Sequence, residues 1–413
     1  MNKYKVGSLF AGVGGICLGF QNAKTANSEY ELVWANEIDE FACTTYRTNF
    51  GHTLLEGDIK KVLHPELIDQ EIAQAKKEYE EADVSEKATK QKVLVQLQHS
   101  RDEQFERYTK LHEQILAEPI DVLNGGFPCQ AFSIAGEQKG FEDERGNLFL
   151  NIVDLIEQLG EKHHKPRILF LENVKNLQAH DKGRTYRIIK AKLEECGYTI
   201  YEKVLNTMDY SDLPQNRERI YIIGFLNKED ATKFNTFTPE RLGLLKKVKT
   251  SEDRANDVKG IIDYSLTYAT SEKYYYTREK YPHYFVTQKE FETSDKGTRI
   301  NLAEQVDEMY QFYQCRRGMY VRKNMSDVCP TLTANMGTGG HNVPLIKVND
   351  GVRKLTPAET FKLQGFPVGN GYELPAKHKG KNYSDAQLYK QAGNAVSVPV
   401  ITMLAEEILK TIE

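Results

Sequence analysis

The chain of 413 residues has no apolar run of the roughly 18 residues that a membrane-crossing helix needs, so no membrane partner is expected. Cys-x-x-Cys spacing and Cys/His clusters are also missing. The six cysteines fall singly at positions 17, 43, 129, 196, 315 and 329, which argues against a bound metal. Excess positive charge is absent. The formal net charge is −4, without the global signature of a nucleic-acid binder. Nor does the start resemble a secretory signal, because Met1-Asn2-Lys3-Tyr4-Lys5 runs straight into a strand-like segment. A cytoplasmic location is therefore expected. No internal repeat is visible. What remains is an ordinary globular composition, 40% hydrophobic and 28% charged, at a length that suggests more than one domain.

The charge is unevenly spread. Residues 65–118 hold 13 acidic and 8 basic residues, a net of −5, whereas 241–353 hold 18 basic and 14 acidic, a net of +4. A local basic surface can bind phosphate on an acidic chain, so the overall charge does not exclude a polyanion.

Segments 5–10, 31–36 and 53–59 read as strands separated by helical stretches, which predicts a parallel α/β sheet. Residues 65–118 are rich in Glu, Lys, Gln and Ala with almost no Gly or Pro. They predict a helical hairpin inserted before the fourth strand, either a solvated elaboration or a contact for DNA or a partner. Strands resume at 120–126, 167–172, 198–205 and 219–225, the last two as antiparallel neighbours. From 228 to 350 the alternation fades. There Tyr264, Tyr268, Tyr274, Tyr275, Tyr276, Tyr281 and Tyr284 crowd together, read as packing rather than base stacking. This segment is expected to be a second domain, with 1–227 and 351–413 forming the first. Thr356-Pro357-Ala358-Glu359 is a helix start, and an apolar helix from Pro399 to about Leu409 closes the chain.

Chemistry-bearing residues collect at the strand ends. The turn Phe10-Ala11-Gly12-Val13-Gly14-Gly15 lets a ligand approach the backbone closely. Glu37 ends the next strand, where a carboxylate can accept from two ribose hydroxyls, and Asp58 could take an adenine amino group. This points to a nucleoside-type ligand without saying which. NAD is the rival, although the glycines run G-x-G-G rather than G-x-G-x-x-G.

The stretch 125–133 puts Cys129 in a Gly/Pro loop just past a strand, where backbone N–H dipoles can favour the thiolate. Glu172 ends the next strand and would point into the same cleft. A nucleophile beside an acid suits cytosine. Its C5 is a poor nucleophile, thiolate addition at C6 makes it enamine-like, and a proton held at N3 favours that addition. Arg217 and Arg219 share a strand face and can grip a phosphate or a base carbonyl, while Glu218 points away.

In this order the motifs resemble the DNA cytosine-5 methyltransferase family of bacterial restriction–modification systems. The resemblance runs from Val6 to about Val400. It is carried by the 10–15 turn, Glu37, Asp58-Ile59, Pro128-Cys129-Gln130, Glu172-Asn173-Val174 and Gln215-x-Arg217-Glu218-Arg219. It continues through Arg353-Lys354-Leu355-Thr356-Pro357-x-Glu359 and Gln391-x-Gly393-Asn394-x-Val396. The resemblance implies an S-adenosylmethionine-dependent, Rossmann-like α/β fold with a mostly parallel sheet and a smaller target-recognition domain. Cys129 would be the covalent nucleophile, Glu172 would hold N3 and the amino group, and Arg219 would contact the cytosine carbonyl. Arg217 would support the catalytic loop, and Gln130 and Ser133 would lie in a loop closing over flipped DNA. Phe10, Gly12, Val13, Gly14, Glu37, Ile38, Asp58, Ile59, Pro128, Leu148, Asn394 and Val396 would line the S-adenosylmethionine pocket. Ile38 stands where family members often carry an aromatic. Thr331-Leu332 resembles the pair this family sets beside the flipped base. Arg316, Arg317, Arg322 and Lys323 are candidates for DNA contact, each read more simply as touching phosphate than as reading a base. The implied enzyme is a monomer, nucleoid-associated in a bacterium, acting on double-stranded DNA. A cognate restriction endonuclease would be its genetic rather than physical partner.

Three other readings compete. A tRNA substrate fits one branch of the family, which typically varies the Pro-Cys-Gln tripeptide kept here. A non-catalytic homologue would lose the nucleophile or cofactor motifs, and these are retained. A nucleotide-linked oxidoreductase leaves Cys129, Glu172 and Arg219 without a role.

Overall fold

The computed structural model describes residues 1–127, 148–293, 299–316, 319–337 and 343–413. Pro128, Cys129, Gln130, Ser133 and Arg317 lie outside the described residues. The first sheet uses β1 (Asn2–Leu9), β2 (Ser28–Glu37), β3 (Thr53–Glu56), β4 (Val122–Gly125), β5 (Ile168–Val174), β6 (Thr199–Asn206) and β8 (Glu218–Phe225), with the two-residue β7 (Gln215–Asn216) standing apart. Their order is β3-β2-β1-β4-β5-β8-β6. Neighbours among the first five strands run parallel, and β8 lies antiparallel between β5 and β6. The order reverses between β1 and β4, and the crevice at the carboxyl ends there is where open α/β sheets take ligands.

Ten helices position the site. They are α1 (Gly15–Asn22), α2 (Glu40–Asn49), α3 (Ile59–Leu63), α4 (Leu67–Glu81), α5 (Lys87–Ala117), α6 (Leu148–Glu161), α7 (Arg184–Glu195), α8 (Pro357–Lys362), α9 (Asp385–Asn394) and α10 (Val398–Ile412). A parallel strand covered on both faces must be apolar throughout, and residues 168–171 of β5 are all buried. On one face Leu9, Leu123, Leu169 and Ile222 pack with Val62, Ile152, Ile156 and Ile189 of α3, α6 and α7. On the other, Val6, Val122, Phe170 and Ile223 pack with Phe20 of α1 and with Val400, Ile401, Leu404 and Ile408 of α10. The last helix of the chain thus covers the first strand. It comes so close to α1 that a Cβ on Gly19 would lie 2.5 Å from the Ile401 Cβ.

Helices α4 and α5 form the hairpin expected at 65–118. Of α5, only Leu94, Tyr108 and Ile115 are buried. Tyr108 braces the loop after β3. Its hydroxyl accepts from the Asp58 amide at 3.4 Å, and a Cβ on Gly57 would lie 2.8 Å from its ring.

A second sheet takes β9 (Tyr275–Tyr276), β10 (Tyr313–Arg316), β11 (Tyr320–Lys323), β13 (Leu345–Val348) and β14 (Gly351–Lys354) in the order β11-β10-β13-β14-β9. Between them β12 (Cys329–Pro330) leaves this sheet and pairs in parallel with β7. Packing crosses the division expected at 228 and 351. Ala231, Phe234 and Leu242 join the core of the first sheet, and β14 belongs to the second because Val352 packs with Tyr284 and Leu345. Tyr275 and Tyr284 are buried, and the Tyr276 and Tyr281 ring centroids lie 4.8 Å apart with the planes tilted by 32°. Among the described residues no helix is long and apolar enough to cross a membrane.

Replacing Gly19 by Ala forces a methyl group into the α1–α10 contact. Overpacking of this kind costs about 2 kcal/mol. Urea unfolding should show a lower midpoint for Gly19→Ala, and an unchanged midpoint would mean that the two helices part freely.

Candidate active site

The turn after β1 is shaped by backbone conformation. Phe10, Gly12 and Gly14 have φ of 53°, 56° and 84°, in the left-handed region. A Cβ on Gly12 would meet nothing within 4 Å, so the turn faces open space. Gly14 turns the other way, since a Cβ there would lie 2.2 Å from the Phe50 ring. The Gly12 amide donates to Glu37 Oε2 at 2.7 Å, while the Ile38 and Asp39 amides donate to Oε1 at 2.9 and 2.8 Å. Burial pushes the Glu37 carboxyl above the usual range, and these three amides pull it back. Asp58 caps α3, its Oδ1 accepting from the Lys60 amide at 3.0 Å.

These groups border a cavity of about 830 Å³. Phe10, Gly12, Val13, Glu37, Ile38, Asp58, Ile59, Leu148, Asn394 and Val396 all line it, and Gly14 does not. Ile38 is 66% exposed at its mouth. The same cavity continues to Gly126, Phe127, Glu172, Asn173, Arg217 and Arg219. Lys390 also lines it and pairs with Asp39 at 2.7 Å, a contribution that no spacing rule suggested.

At this far end the Glu172 carboxylate, 7% exposed, has its Oε1 3.1 Å from Arg219 Nε. Burial raises the Glu172 carboxyl above the usual range, while the Arg219 and Arg217 charges pull the other way. A Cβ on Gly126 would come within 3.5 Å of Glu172 Oε2, so the loop after β4 departs beside this carboxylate. Asn173 Nδ2 donates to the Phe127 carbonyl at 2.8 Å and pins that departure point.

Arg217 does not reach outward. Fully buried, it donates to the carbonyls of Leu332 at 2.9 Å and Gly393 at 3.3 Å, and to that of Ala395. Burial and then the neighbouring Arg219 charge push its guanidinium down to about 9. Gln215, which sequence reasoning noted only as part of a motif, completes this junction. Its side chain donates to the Leu363 carbonyl at 2.8 Å and accepts from the Leu332 amide at 3.2 Å.

A second, polar cavity of about 680 Å³ shares Val174 and Arg219 with the first. Arg316, Arg322 and Thr331 line it. Thr331 Oγ1 donates to the Asn216 carbonyl at 2.7 Å. Leu332 is buried, and Lys323 is paired with Glu308 at 2.6 Å, so neither lines this wall.

The fold is that of solved methyltransferases. A structure titled a putative DNA modification methyltransferase of an Escherichia coli prophage matches with a TM-score of 0.57 at 18% identity, covering 99% of both chains. The Dnmt2 methyltransferase of S. pombe matches at 0.56 and 15%, covering all of both. A family model described as C-5 cytosine-specific DNA methylase matches residues 4–74 and 81–410, and the chain belongs to this family of DNA cytosine-5 methyltransferases. Among curated relatives, the Type II methyltransferase M.Bsp6I of Bacillus sp. (strain RFL6) is 40% identical over 408 residues, 98% of this chain and 99% of that one. M.HpaII of Haemophilus parainfluenzae is 32% identical, over 99% of this chain and 90% of its own.

The folded state holds the Glu172 proton more tightly than the unfolded chain. Stability linked to it is present below the ordinary carboxyl value of 4.5 and is lost as pH rises above it. Glu172→Gln escapes this loss. Thermal melts should find it more stable than the wild type near neutral pH, with the gap closing toward about pH 4.

Proposed function

We propose that the chain methylates C5 of a flipped-out cytosine in duplex DNA, using S-adenosylmethionine and a covalent Cys129–C6 intermediate. The observation that carries this reading is the single cavity joining the Glu37 turn to the Glu172–Arg219 pair. The residues at its near end fit the donor. Glu37 offers a fixed carboxylate for a ribose diol, Asp58 and Ile59 border the base position, and the open space over Gly12 admits a ligand against the backbone. When bound there, S-adenosylmethionine supplies an electrophilic methyl group.

Every other step belongs to the chain. Glu172, whose burial favours the protonated carboxyl, holds a proton at N3 of the cytosine, and Arg219 binds its carbonyl oxygen. The Cys129 thiolate adds to C6, and the C5–C6 π electrons become available at C5, which takes the methyl group as the bond from the methyl carbon to the donor sulfur breaks and its electron pair stays on the sulfur. Loss of the C5 proton to a base and departure of the thiolate restore the C5–C6 double bond. Arg217 acts from behind, holding Leu332 and the 393–395 backbone in place. Segment 228–350 faces the DNA, with Thr331 beside the flipped base. Gln130 and Ser133 belong to the loop that closes on it, and Arg317 is a further candidate for DNA contact. We also propose a cytoplasmic monomer, nucleoid-associated, whose companion is a restriction endonuclease acting on the same site, as the names of the Type II relatives suggest.

The wild type should form a denaturation-resistant adduct with duplex DNA carrying 5-fluorocytosine at the site, and Cys129→Ser should form none. An undiminished adduct in Cys129→Ser would remove Cys129 from the mechanism. In calorimetry, Glu37→Ala should weaken S-adenosylmethionine binding by about tenfold or more, as expected for losing charged hydrogen bonds. Equal affinity would place the ribose elsewhere.

A further inference from the structure

One wall of the polar cavity beside Glu172 and Arg219 is the β10–β11 hairpin, whose register sorts its side chains. Gln314 lies opposite Arg322, and Arg316 opposite Tyr320. Side chains alternate along strands, so these four share one face, and Tyr313, Cys315, Val321 and Lys323 share the other. Tyr313, Cys315 and Val321 pack into the core around Tyr284 and Leu345. Gln314, Arg316 and Arg322 line the cavity.

Arg322 Nη2 donates to Gln314 Oε1 at 3.1 Å. That bond engages the only acceptor atom of the Gln314 side chain. The pair therefore turns mainly donors toward the cavity, the Gln314 amide N–H groups and the remaining guanidinium N–H groups. Arg316 adds a buried Nε with no hydrogen-bond partner among the described residues. Such a surface fits an edge with adjacent acceptors. In the major groove that edge is guanine, with N7 and O6, whereas adenine and cytosine present an amino donor and thymine a methyl group. Phosphate is also an acceptor. The other residues lining the cavity include the Glu218–Lys175 ion pair at 2.8 Å, Asn216, Asn176 and Arg219, so charge alone does not choose between the two and the salt dependence of binding does.

We infer that Arg322, held by Gln314, reads a guanine next to the target cytosine, and that Gln314 is the positioning residue that sets this specificity. The inference rests on the reading of 228–350 as the face toward DNA. Val174 and Arg219 border both cavities, which puts the read base beside the flipped one. Gln314 is 9% exposed and so is held by packing, and its bond at 3.1 Å restrains Arg322, which remains exposed to a ligand in the cavity.

Bisulfite sequencing of DNA exposed to the wild type first defines its site. A protein that methylates no DNA overturns the wider reading, and this inference with it. Duplexes are then made with each guanine of the site replaced in turn by 7-deazaguanine, which pairs normally but lacks N7. Binding is followed by fluorescence anisotropy, so that a variant without turnover is still read. The wild type should lose about tenfold or more at one guanine. In Arg322→Ala that loss should vanish while losses at other guanines persist. Gln314→Met, which keeps length without the acceptor, should shrink the same loss and no other. Two results overturn the inference while leaving the wider reading intact. In one, no guanine position responds differently in Arg322→Ala and the wild type. In the other, Arg322→Ala weakens all duplexes alike with a shallower salt dependence, which marks a phosphate contact.

Discussion

A guanidinium removed from water must find acceptors, and Arg217 finds them in three backbone carbonyls from two segments far apart in sequence. Leu332 comes from the segment after β12, and Gly393 and Ala395 from the end of α9. Satisfying one buried charge therefore sets the second sheet's connecting strand against the loop that lines the near cavity. The contact leaves no slack. A Cβ on Gly393 would sit 2.2 Å from the Thr333 carbonyl carbon, so backbone lies directly on backbone. Gln215 ties the same strand to the end of α8. The two cavities meet at Val174 and Arg219, at the ends of β5 and β8 beside this junction.

The electrostatics of the cleft follow from the same compactness. Glu172, Arg217 and Arg219 lie at the ends of neighbouring strands with little water to screen them. The carboxyl is held toward its protonated form by burial, while the Arg219 and Arg217 charges pull it back toward ionisation. A proton donor for a ring nitrogen needs this balance, since a fully exposed glutamate would already have lost its proton at neutral pH. The price is stability, which a neutral side chain at this position would recover.

Much of this was legible in the sequence, for reasons particular to each element. A parallel strand announces itself by an apolar run and ends at a polar residue, so Glu37 and Glu172 could be placed at a ligand edge before any fold was known. The hairpin at 65–118 was legible from its lack of helix breakers. The second sheet was not. Its strands are four residues or shorter, and their alternation depends on a register that no spacing rule supplies. Arg322 and Lys323 therefore read alike, although one lines the cavity and the other pairs with Glu308. Gln314 carries no signal, and Gln215 signals only through its motif, because a glutamine's role is read from its partner. Arg217 looked like a ligand-gripping residue because strand alternation pairs it with Arg219, and alternation cannot tell a cleft from a buried junction. The nucleophile assigned to Cys129 lies outside the described residues and rests on its motif.

Helix α10 covers β1 and α1, yet almost the whole chain separates them. On the ribosome, the apolar face formed by Phe20, Val6 and Phe170 must wait for residues 398–412 to be made. Until then the amino-terminal half is a half-built layer, prone to self-association, and long-range closure of this kind is slow. A message truncated after the second sheet would leave that face uncovered. Burial of this face of the first sheet thus depends on residues 398–412.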